Sequence, residues 1–272
     1  FARHSIEFYS EFLAPYPYPV AINVAGVVGG MEYPMIVFCS VNARGQGLFG
    51  VTDHELGHEW FPMIVGSDER RWFWMDEGLN SFLNYYSARD FYGQSYHGRA
   101  GTGRIARIMA SPLHDQPSMT RADRLRMYNF GFLSYRKPAA GLILLREYVL
   151  GPELFDPAFD AYFQRWKYRH PAPADFFRTI EDVAGEELDW FWRGWFQTTD
   201  VLDQAVDGVS TAGDTTRVVL ENRKGLVMPL ELELELADGT TRRRRVPVEA
   251  WFTSDRHTVR LVGPEVTGVT ID

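Results

Sequence analysis

Several kinds of residue and segment that would indicate other classes of protein are scarce or missing in this sequence. Cys39 is the single cysteine, so the chain contains no internal disulfide framework. No apolar run reaches the roughly eighteen residues of a membrane-spanning helix, so no transmembrane segment is predicted. The 28 lysines and arginines are outnumbered by 36 aspartates and glutamates. The resulting net charge of −8 argues against a nucleic-acid partner.

The residues that are abundant are typical of a globular protein with a large core. The 272 residues are enough for one large domain or two smaller ones. Hydrophobic residues make up 45% and charged residues 24%, a balance that excludes a disordered chain. Because the chain has 8 tryptophans and 19 phenylalanines, we expect aromatic rings to fill much of its core.

The period of the apolar residues changes near Thr198. Before it the period is mostly helical, with strand-like segments at residues 20–28 and 35–41. After it the period is two, and strands are predicted at residues 216–221, 229–236, 241–248 and 257–262. We therefore expect an α+β protein, with one domain at residues 1–200 and a small β-sandwich at residues 201–272.

One β-hairpin in the second part is regular enough to predict its register. The apolar residues are even-numbered on both strands, which requires a turn with an odd number of residues. We expect residues 238–240 to form this turn, with Gly239 at a positive φ. Glu233 would then lie opposite Arg245, and Glu235 opposite Arg243. These pairs account for the run of four arginines without a nucleic-acid site.

The segment at residues 51–61 contains the pattern His-Glu-x-x-His. On a helix, residues four apart leave the same face, so His54 and His58 can bind one Zn²⁺. Glu55 can then reach a water molecule on that metal. The alternative for Glu55 is structural, because Thr52 and Glu55 also fit a capping box at a helix start. That alternative explains neither histidine.

A third ligand is available from the next predicted helix, at residues 79–91. Glu77 precedes this helix, and eighteen residues separate it from His58. The alternative for Glu77 is an acidic residue favoured by the helix dipole. Three protein ligands leave the fourth position of zinc for water, which is the arrangement of a catalytic site. Asn80 and Asn84 share a helix face with Glu77. They are either partners that contact the metal ligands or polar residues on a solvated helical turn.

Two glycine-containing segments and five histidines are interpreted as structural residues and not as parts of a binding site. Residues 45–50 match G-x-G-x-x-G, but the next helix carries the two histidines instead of continuing a dinucleotide-binding unit, so we interpret them as a flexible loop. Residues 98–104 lack the Lys-Ser/Thr of a phosphate loop and are interpreted as a linker. The remaining histidines have no ligand spacing and are expected at the surface or in satisfied contacts: His4, His97, His114, His170 and His257.

Four motifs together resemble those of the gluzincin aminopeptidases, the family of aminopeptidase N and leukotriene hydrolase. His54-Glu55-Leu56-Gly57-His58-Glu59-Trp60-Phe61 is similar to the zinc helix of that family. Trp74-Met75-Asp76-Glu77-Gly78 resembles its W-L-N-E-G ligand segment, and Gly29-Gly30-Met31-Glu32 resembles its G-x-M-E-N exopeptidase motif. Ser134-Tyr135-Arg136-Lys137 resembles its Y-x-K segment. The resemblance covers about residues 1–200.

This resemblance implies a thermolysin-like zinc metallopeptidase domain, with a small mixed sheet plus helices, followed by an Ig-like β-sandwich. One Zn²⁺ per chain would be bound by His54, His58 and Glu77. Glu55 would be the general base for a zinc-bound water that attacks the peptide. Tyr135 would stabilise the oxyanion.

The resemblance also implies an aminopeptidase acting on peptides. Glu32 would bind the α-ammonium group of the substrate, beside Gly29, Gly30 and Met31. An endopeptidase of the same chemistry and a non-catalytic peptide-binding scaffold are the alternatives.

The chain departs from the family at three points. Tyr33 stands where the family has asparagine, beside the substrate cleft. Asp76 also replaces an asparagine, a change that we expect to be minor. The N-terminal β-domain of the family is not part of this sequence, which begins with Phe1 rather than methionine. The resemblance implies that this domain precedes Phe1 and packs on the catalytic domain.

Overall fold

The computed structural model describes residues 1–96, 102–263 and 265–271. The chain forms two compact units, Phe1–Leu188 and Asp189–Asp272. Helices with a small mixed sheet make up the first unit, and antiparallel sheets dominate the second. The predicted α+β class is therefore confirmed. The assignment of domains to residues 1–200 and 201–272 stays a prediction.

The sheet of the first unit is formed by β1 (Ile22–Gly26), β2 (Gly30–Tyr33) and β3 (Ile36–Ser40). Its order is β1-β3-β2, in which β1 runs parallel to β3 and β2 antiparallel. The two predicted strands correspond to β1 and β3. The segment between them, which carries the Gly-Gly-Met-Glu motif, is itself the edge strand β2.

Helices form the rest of the first unit. They are α1 (Ala2–Phe12), α2 (Gly45–Gly57), α3 (Phe73–Tyr92), α4 (Thr102–Met109), α5 (Met127–Gly131), α6 (Lys137–Leu144), α7 (Pro152–Trp166) and α8 (Pro173–Ala184). Helical turns of the π type follow α5, at Phe132–Arg136, and α6, at Leu145–Leu150. As expected, buried aromatic rings are prominent in this core and include Phe61, Phe82, Phe155, Phe159 and Phe163. Residue 97 and residues 98–101 of the predicted linker lie outside the described residues.

Helix α2 begins earlier than the sequence predicts. The glycine-containing segment at residues 45–50 is its first part, and Arg44 is the N-cap residue. Thr52 therefore lies inside the helix, where its hydroxyl contacts Asn23 and Cys39 of the sheet. The predicted flexible loop and capping box are both wrong, because packing of the buried Phe49 ring stabilises a segment whose glycines disfavour a helix.

Helix α3 also begins earlier, so the whole Trp-Met-Asp-Glu-Gly motif is helical. Gly78 in this motif lies against the segment that carries Tyr135. A Cβ atom at Gly78 would lie 2.7 Å from Cβ of Pro138 and 3.0 Å from the carbonyl oxygen of Ser134. The absence of a side chain at Gly78 lets the two helical segments approach each other, which brings Tyr135 towards Glu77.

The second unit begins with a short aromatic helix, α9 (Asp189–Trp192), and a π-type turn at Arg193–Gln197. Its strands are β4 (Gln204–Ala212), β5 (Thr215–Asn222), β6 (Leu230–Leu236), β7 (Thr241–Val246), β8 (Arg256–Val262) and β9 (Val266–Ile271). They form two sheets of order β4-β5-β8 and β7-β6-β9, with a shared apolar core. The sequence pattern does not predict strands β4 and β9, since most of β4 is exposed and the apolar residues of β9 lack a clear alternation.

The predicted hairpin exists, but its register is shifted by two residues. Glu233 lies opposite Arg243, and Glu231 lies opposite Arg245. The amide of Leu236 donates to the carbonyl of Thr240 at 2.9 Å, so the turn consists of residues 237–239. The Asp238 carboxylate accepts hydrogen bonds from Thr240, which holds that residue at the strand end. Gly239 has the expected positive φ, at 82°.

Candidate metal centre

Helices α2 and α3 bring three potential metal ligands together. Nε2 of His54 lies 3.2 Å from Nε2 of His58. Oε2 of Glu77 lies 3.1 Å from the first of these nitrogens and 3.3 Å from the second. The sequence-predicted ligands therefore form a compact triangle at the end of α2.

The donor atoms of this triangle fit a zinc ion. Ligands at about 2.0–2.1 Å from a tetrahedral zinc are separated by roughly 3.3 Å, close to the three separations in the triangle. Oε2 of Glu77 is buried and has no hydrogen-bond partner within the described part of the chain. A buried carboxylate oxygen that faces two imidazole nitrogens calls for a cation or a proton between them.

Contacts on the far side of each imidazole leave its Nε2 atom free to bind a metal. Nδ1 of His54 lies 2.8 Å from Oδ1 of Asn84, and Nδ1 of His58 lies 2.8 Å from the Phe61 carbonyl. Both acceptors favour the tautomer with hydrogen on Nδ1. The nitrogens that face Glu77 then carry lone pairs.

The two asparagines on α3 both contact His54, which settles their two interpretations in favour of ligand contacts. Asn80 donates from Nδ2 to the backbone carbonyl of His54 at 2.8 Å. A Cβ atom at Gly57 would collide with the amide oxygen of Asn80, so this approach depends on a glycine. The signal in the sequence was the spacing from Glu77, because positions three and seven residues later on a helix share its face.

Asp76 also contacts a ligand. Its Oδ1 atom lies 2.9 Å from Nδ1 of His58, and both side chains are 1% exposed. The hydrogen-bond geometry is met by the Phe61 carbonyl instead, so the contact of Asp76 with His58 is mainly electrostatic. The replacement of asparagine by Asp76 is therefore not minor, since it adds a negative charge against a candidate ligand.

Glu55 is buried beside the triangle. Burial raises its pKa to about 7, although the two histidines oppose this shift. Its carboxylate lies within 4.8 Å of the donor atoms of His58 and Glu32. At neutral pH such a carboxyl group exchanges a proton readily, which is the requirement for a general base.

Glu32 lies on the edge strand β2, opposite Val37 of β3. Gly30, two residues before it, packs against Glu55 so closely that a Cβ atom would collide with Oε1. Gly29 has open space around its Cα, and Met31 is half-buried. The structure therefore brings Glu32 and Gly30 to the site, whereas it gives Gly29 no neighbour there. Tyr33 is exposed, and its ring contacts Phe38.

Tyr135 reaches the site from the π-type turn after α5. Its hydroxyl donates to Oε1 of Glu77 at 2.6 Å, and its ring stacks on His54. Burial, together with the charge of Glu77, raises the pKa of Tyr135, so the hydroxyl keeps its proton. Tyr128 is 52% exposed and instead donates to Asp115.

The described histidines outside the motif have other contacts. His4 lies 3.1 Å from the Ser87 carbonyl, and His170 lies 2.8 Å from the Gly66 carbonyl. Nε2 of the buried His114 lies 3.1 Å from Nζ of Lys137. His257 lies on β8.

A cavity of about 540 Å³ opens beside His54, whereas His58 and Glu77 are not among its lining residues. His54 and Tyr135 line one side of it, and aromatic rings including Phe49, Tyr85 and Phe130 line other parts. Such a mixed polar and aromatic lining is typical of a ligand pocket.

The mixed fold and the His-His-Glu donor group are those of a zinc peptidase domain. The model of the Peptidase family M1 domain matches residues 4–195, and the chain belongs to this family. The M1 family implies zinc, which agrees with the donor group.

Within the described residues, no helix is long and apolar enough to cross a membrane.

Several characterised proteins are similar to this chain. Aminopeptidase M1-A of Oryza sativa subsp. japonica is 26% identical over 207 residues, which cover 69% of this chain and 23% of that protein. Aminopeptidase 2, mitochondrial, of Saccharomyces cerevisiae is 25% identical, over 79% of this chain and 24% of its own length. Leukotriene A-4 hydrolase of Xenopus laevis is 24% identical, over 62% of this chain and 30% of its own length. The matched part of the chain thus spans less than a third of each relative.

Proposed function

We propose that this chain carries the catalytic domain of a zinc-dependent aminopeptidase, which removes N-terminal residues from peptides. The observation that carries the proposal is the triangle of Nε2 of His54, Nε2 of His58 and Oε2 of Glu77, with all separations between 3.1 and 3.3 Å. These three residues would hold one Zn²⁺. When bound, zinc supplies a Lewis acid and lowers the pKa of coordinated water.

Glu55 is proposed to move the proton. Its carboxylate is buried beside the candidate ligands, and its pKa of about 7 lets it accept a proton from water and return it to the leaving amine. Gly30 keeps this carboxylate in place by leaving room for Oε1.

Tyr135 is proposed to donate a hydrogen bond to the oxyanion. Its hydroxyl keeps its proton and lies at the edge of the donor triangle, where it contacts Glu77. A donor in such a position stabilises the negative charge that develops on the carbonyl oxygen of the substrate.

Glu32 is proposed to bind the α-ammonium group of the substrate, beside Gly30 and Met31 of the same strand and Gly29 immediately before it. An oxygen of its carboxylate lies within 4.8 Å of a carboxylate oxygen of Glu55 and of a ring nitrogen of His58. An amine held there would place the first peptide bond near Glu55, which favours cleavage of one residue at a time.

The proposal extends to the domains and their neighbours. Residues 1–200 would be the thermolysin-like catalytic domain, and residues 201–272 an Ig-like β-sandwich. An N-terminal β-domain would pack on the catalytic domain and help to bind the free amine. The relatives are named as aminopeptidases and a hydrolase, which supports the enzyme class.

Metal analysis and peptide turnover test this proposal together. The purified chain is expected to contain one zinc ion and to hydrolyse aminoacyl anilides, with activity lost on chelation and restored by zinc. Glu55→Gln should retain zinc and lose turnover. Zinc binding with cleavage of N-acetylated peptides alone would indicate an endopeptidase. Peptide binding with neither zinc nor turnover would indicate a scaffold.

A further inference from the structure

A chain of hydrogen bonds leads from His54 to a buried carboxylate outside the proposed catalytic machinery. Nδ1 of His54 lies 2.8 Å from Oδ1 of Asn84. Nδ2 of Asn84 lies 2.8 Å from the hydroxyl oxygen of Tyr9. That hydroxyl lies 2.8 Å from Oδ2 of Asp53. Four residues from α1, α2 and α3 are linked in series.

The buried end of this chain sets the direction of its shortest hydrogen bonds. Longer contacts of Nδ2 of Asn84 with Oδ1 of Asn80, at 3.3 Å, and with the backbone carbonyl of Asp53, at 3.5 Å, agree with the same amide orientation. A carboxylate only accepts hydrogen bonds, so Tyr9 donates its single hydrogen to Asp53. The oxygen of Tyr9 is then an acceptor, and the group of Asn84 that faces it must be the NH₂. The amide oxygen of Asn84 therefore points at His54 and accepts the hydrogen of Nδ1.

The opposite orientation of Asn84 would oppose the binding of a metal by His54. An amide NH₂ that faced Nδ1 would need a lone pair there, and the imidazole hydrogen would move to Nε2. Nε2 is the atom that faces His58 and Glu77. The orientation of one amide thus decides whether the first ligand presents a lone pair to the metal.

Asp53 is held firmly enough to set this orientation. Its side chain is 1% exposed, and Oδ1 accepts hydrogen bonds from Ser5 at 2.7 Å and Ser87 at 2.6 Å. With Tyr9 as the third donor, the carboxylate is satisfied without any contact to a ligand. Removal of one donor leaves a buried charged group short of a hydrogen bond, which is costly.

A competing contact comes from Asn80, whose Nδ2 atom lies 3.2 Å from Nδ1 of His54. Nδ2 of Asn80 has a closer acceptor, the backbone carbonyl of His54, at 2.8 Å. The contact of Nδ1 with Asn84 is also the shorter of its two, at 2.8 Å. Nδ1 of His54 therefore donates its hydrogen to Oδ1 of Asn84.

The two candidate histidine ligands differ in their contacts with negatively charged residues: His58 contacts a carboxylate directly, whereas His54 is connected to one through two other residues. Nδ1 of His58 lies 2.9 Å from the carboxylate of Asp76. His54 meets a neutral amide, and the nearest negative charge along its hydrogen bonds is two residues further away, on Asp53. Loss of such partners of a metal-bound histidine typically weakens metal binding about 10–100-fold.

We propose that Tyr9 and Asp53 are positioning residues for His54, which act through Asn84 to fix the tautomer that binds zinc. The inference rests on the proposed zinc site. It assigns a function in metal binding to residues that neither the His-Glu-x-x-His helix nor the Glu77 segment includes as ligands.

The test is the zinc affinity of the full chain, measured by competition with a chromophoric chelator. Tyr9→Phe removes one hydroxyl and should weaken zinc binding about tenfold or more. Tyr162→Phe is the matched control, because this hydroxyl is also fully buried and has no hydrogen-bond partner among the described residues. Its affinity should equal that of the wild type. An unchanged affinity in Tyr9→Phe, or an equal loss in both variants, would overturn the inference.

A rescue separates positioning from a general effect on folding. In Tyr9→Phe/Asn84→Asp, a carboxylate accepts directly from Nδ1 of His54, so zinc affinity should return to within a few-fold of the wild type. A double variant as weak as Tyr9→Phe contradicts the inference. Should Tyr9→Phe not fold, the half-buried Asn84 provides the test. Asn84→Ala must then weaken zinc binding and Asn84→Asp must not, and equal affinities overturn the proposal.

Failure of the inference differs from failure of the proposed function. A wild-type chain that folds but binds no zinc refutes the metal site itself. A wild-type chain that binds zinc with unchanged affinity in Tyr9→Phe refutes only the positioning by Tyr9 and Asp53.

Discussion

Gly30 and Glu55 lie in direct contact, although one belongs to the edge strand of the sheet and the other to the helix of the candidate ligands. A Cβ atom at Gly30 would collide with Oε1 of Glu55 and lie 3.1 Å from a methyl carbon of Val51. The buried carboxylate therefore occupies the space that any side chain at position 30 would need.

Gly30→Ala should lower kcat by about 10²-fold or more, because the methyl group displaces the proposed general base. Zinc content should stay at the wild-type level, since Gly30 is not among the candidate ligands. Steady-state hydrolysis of an aminoacyl anilide and metal analysis measure the two quantities. Gly26→Ala is the matched control, as its Cβ would meet no atom within 4 Å and Gly26 has no proposed role in the site. Equal activity in the two variants would show that the contact has no catalytic importance.

Tyr135→Phe should lower kcat by about 10²–10³-fold, the typical loss for one oxyanion donor. KM should change less, because the donor acts mainly in the transition state. Tyr128→Phe controls for loss of a nearby tyrosine hydroxyl, since Tyr128 is exposed and contacts Asp115. A loss confined to KM would assign Tyr135 to substrate binding instead.

Glu32→Ala should raise KM for peptides with a free N-terminus, because the variant lacks the carboxylate proposed to bind the α-ammonium group. The expected loss in kcat/KM is at least about tenfold, in line with a charge-assisted hydrogen bond of roughly 1.5–3 kcal/mol. Hydrolysis of matched free and N-acetylated peptides provides the measurement. If the wild type cleaves both forms equally well, Glu32 does not select the N-terminus.

His114 should make the folded state less stable in acid. Burial, together with the charge of Lys137, lowers its pKa from 6.5 to about 4. The unfolded chain thus binds a proton below pH 6.5 that the folded chain takes up only near pH 4. The free energy of unfolding should fall as the pH decreases through this window, by about 1–3 kcal/mol for this group.

Urea unfolding at pH 7 and pH 4.5 measures this effect, with His114→Gln as the comparison. The variant lacks the titrating group, so its stability should fall less between the two pH values than that of the wild type. Parallel curves for the two proteins would contradict the assignment. The site ligands are common to both proteins, and their own titration cancels in the comparison.

Local spacing explains why so much of the site could be predicted. His54 and His58 are separated by one helical turn, so helix formation alone puts both imidazoles on one face. Asn84 follows Glu77 by two turns of α3, and its contact with His54 agrees with that spacing. Where neighbours in sequence are also neighbours in space, the pattern of residues predicts the geometry.

The errors arose where distant packing overrides local preference, or where a side-chain hydrogen bond in a turn selects between registers that the apolar pattern does not distinguish. Helix α2 extends through three glycines because Phe49 is buried among other rings. The hairpin shifted by two residues because the hydrogen bonds of Asp238 with Thr240 set the turn. A shift of two residues preserves the faces of both strands, so the alternation of apolar residues does not distinguish the two registers.

The sequence by itself determined the class of fold, the change from helices to strands, and the three residues of the candidate metal centre. These depend on the periods of helices and strands, which act over a few residues. Only the tertiary structure decided the contact of Gly30 with Glu55, that of Tyr135 with Glu77, and that of Tyr9 with Asp53. The last two join residues 58 and 44 positions apart. Contacts at such separations depend on how helices and strands pack, which no local pattern specifies.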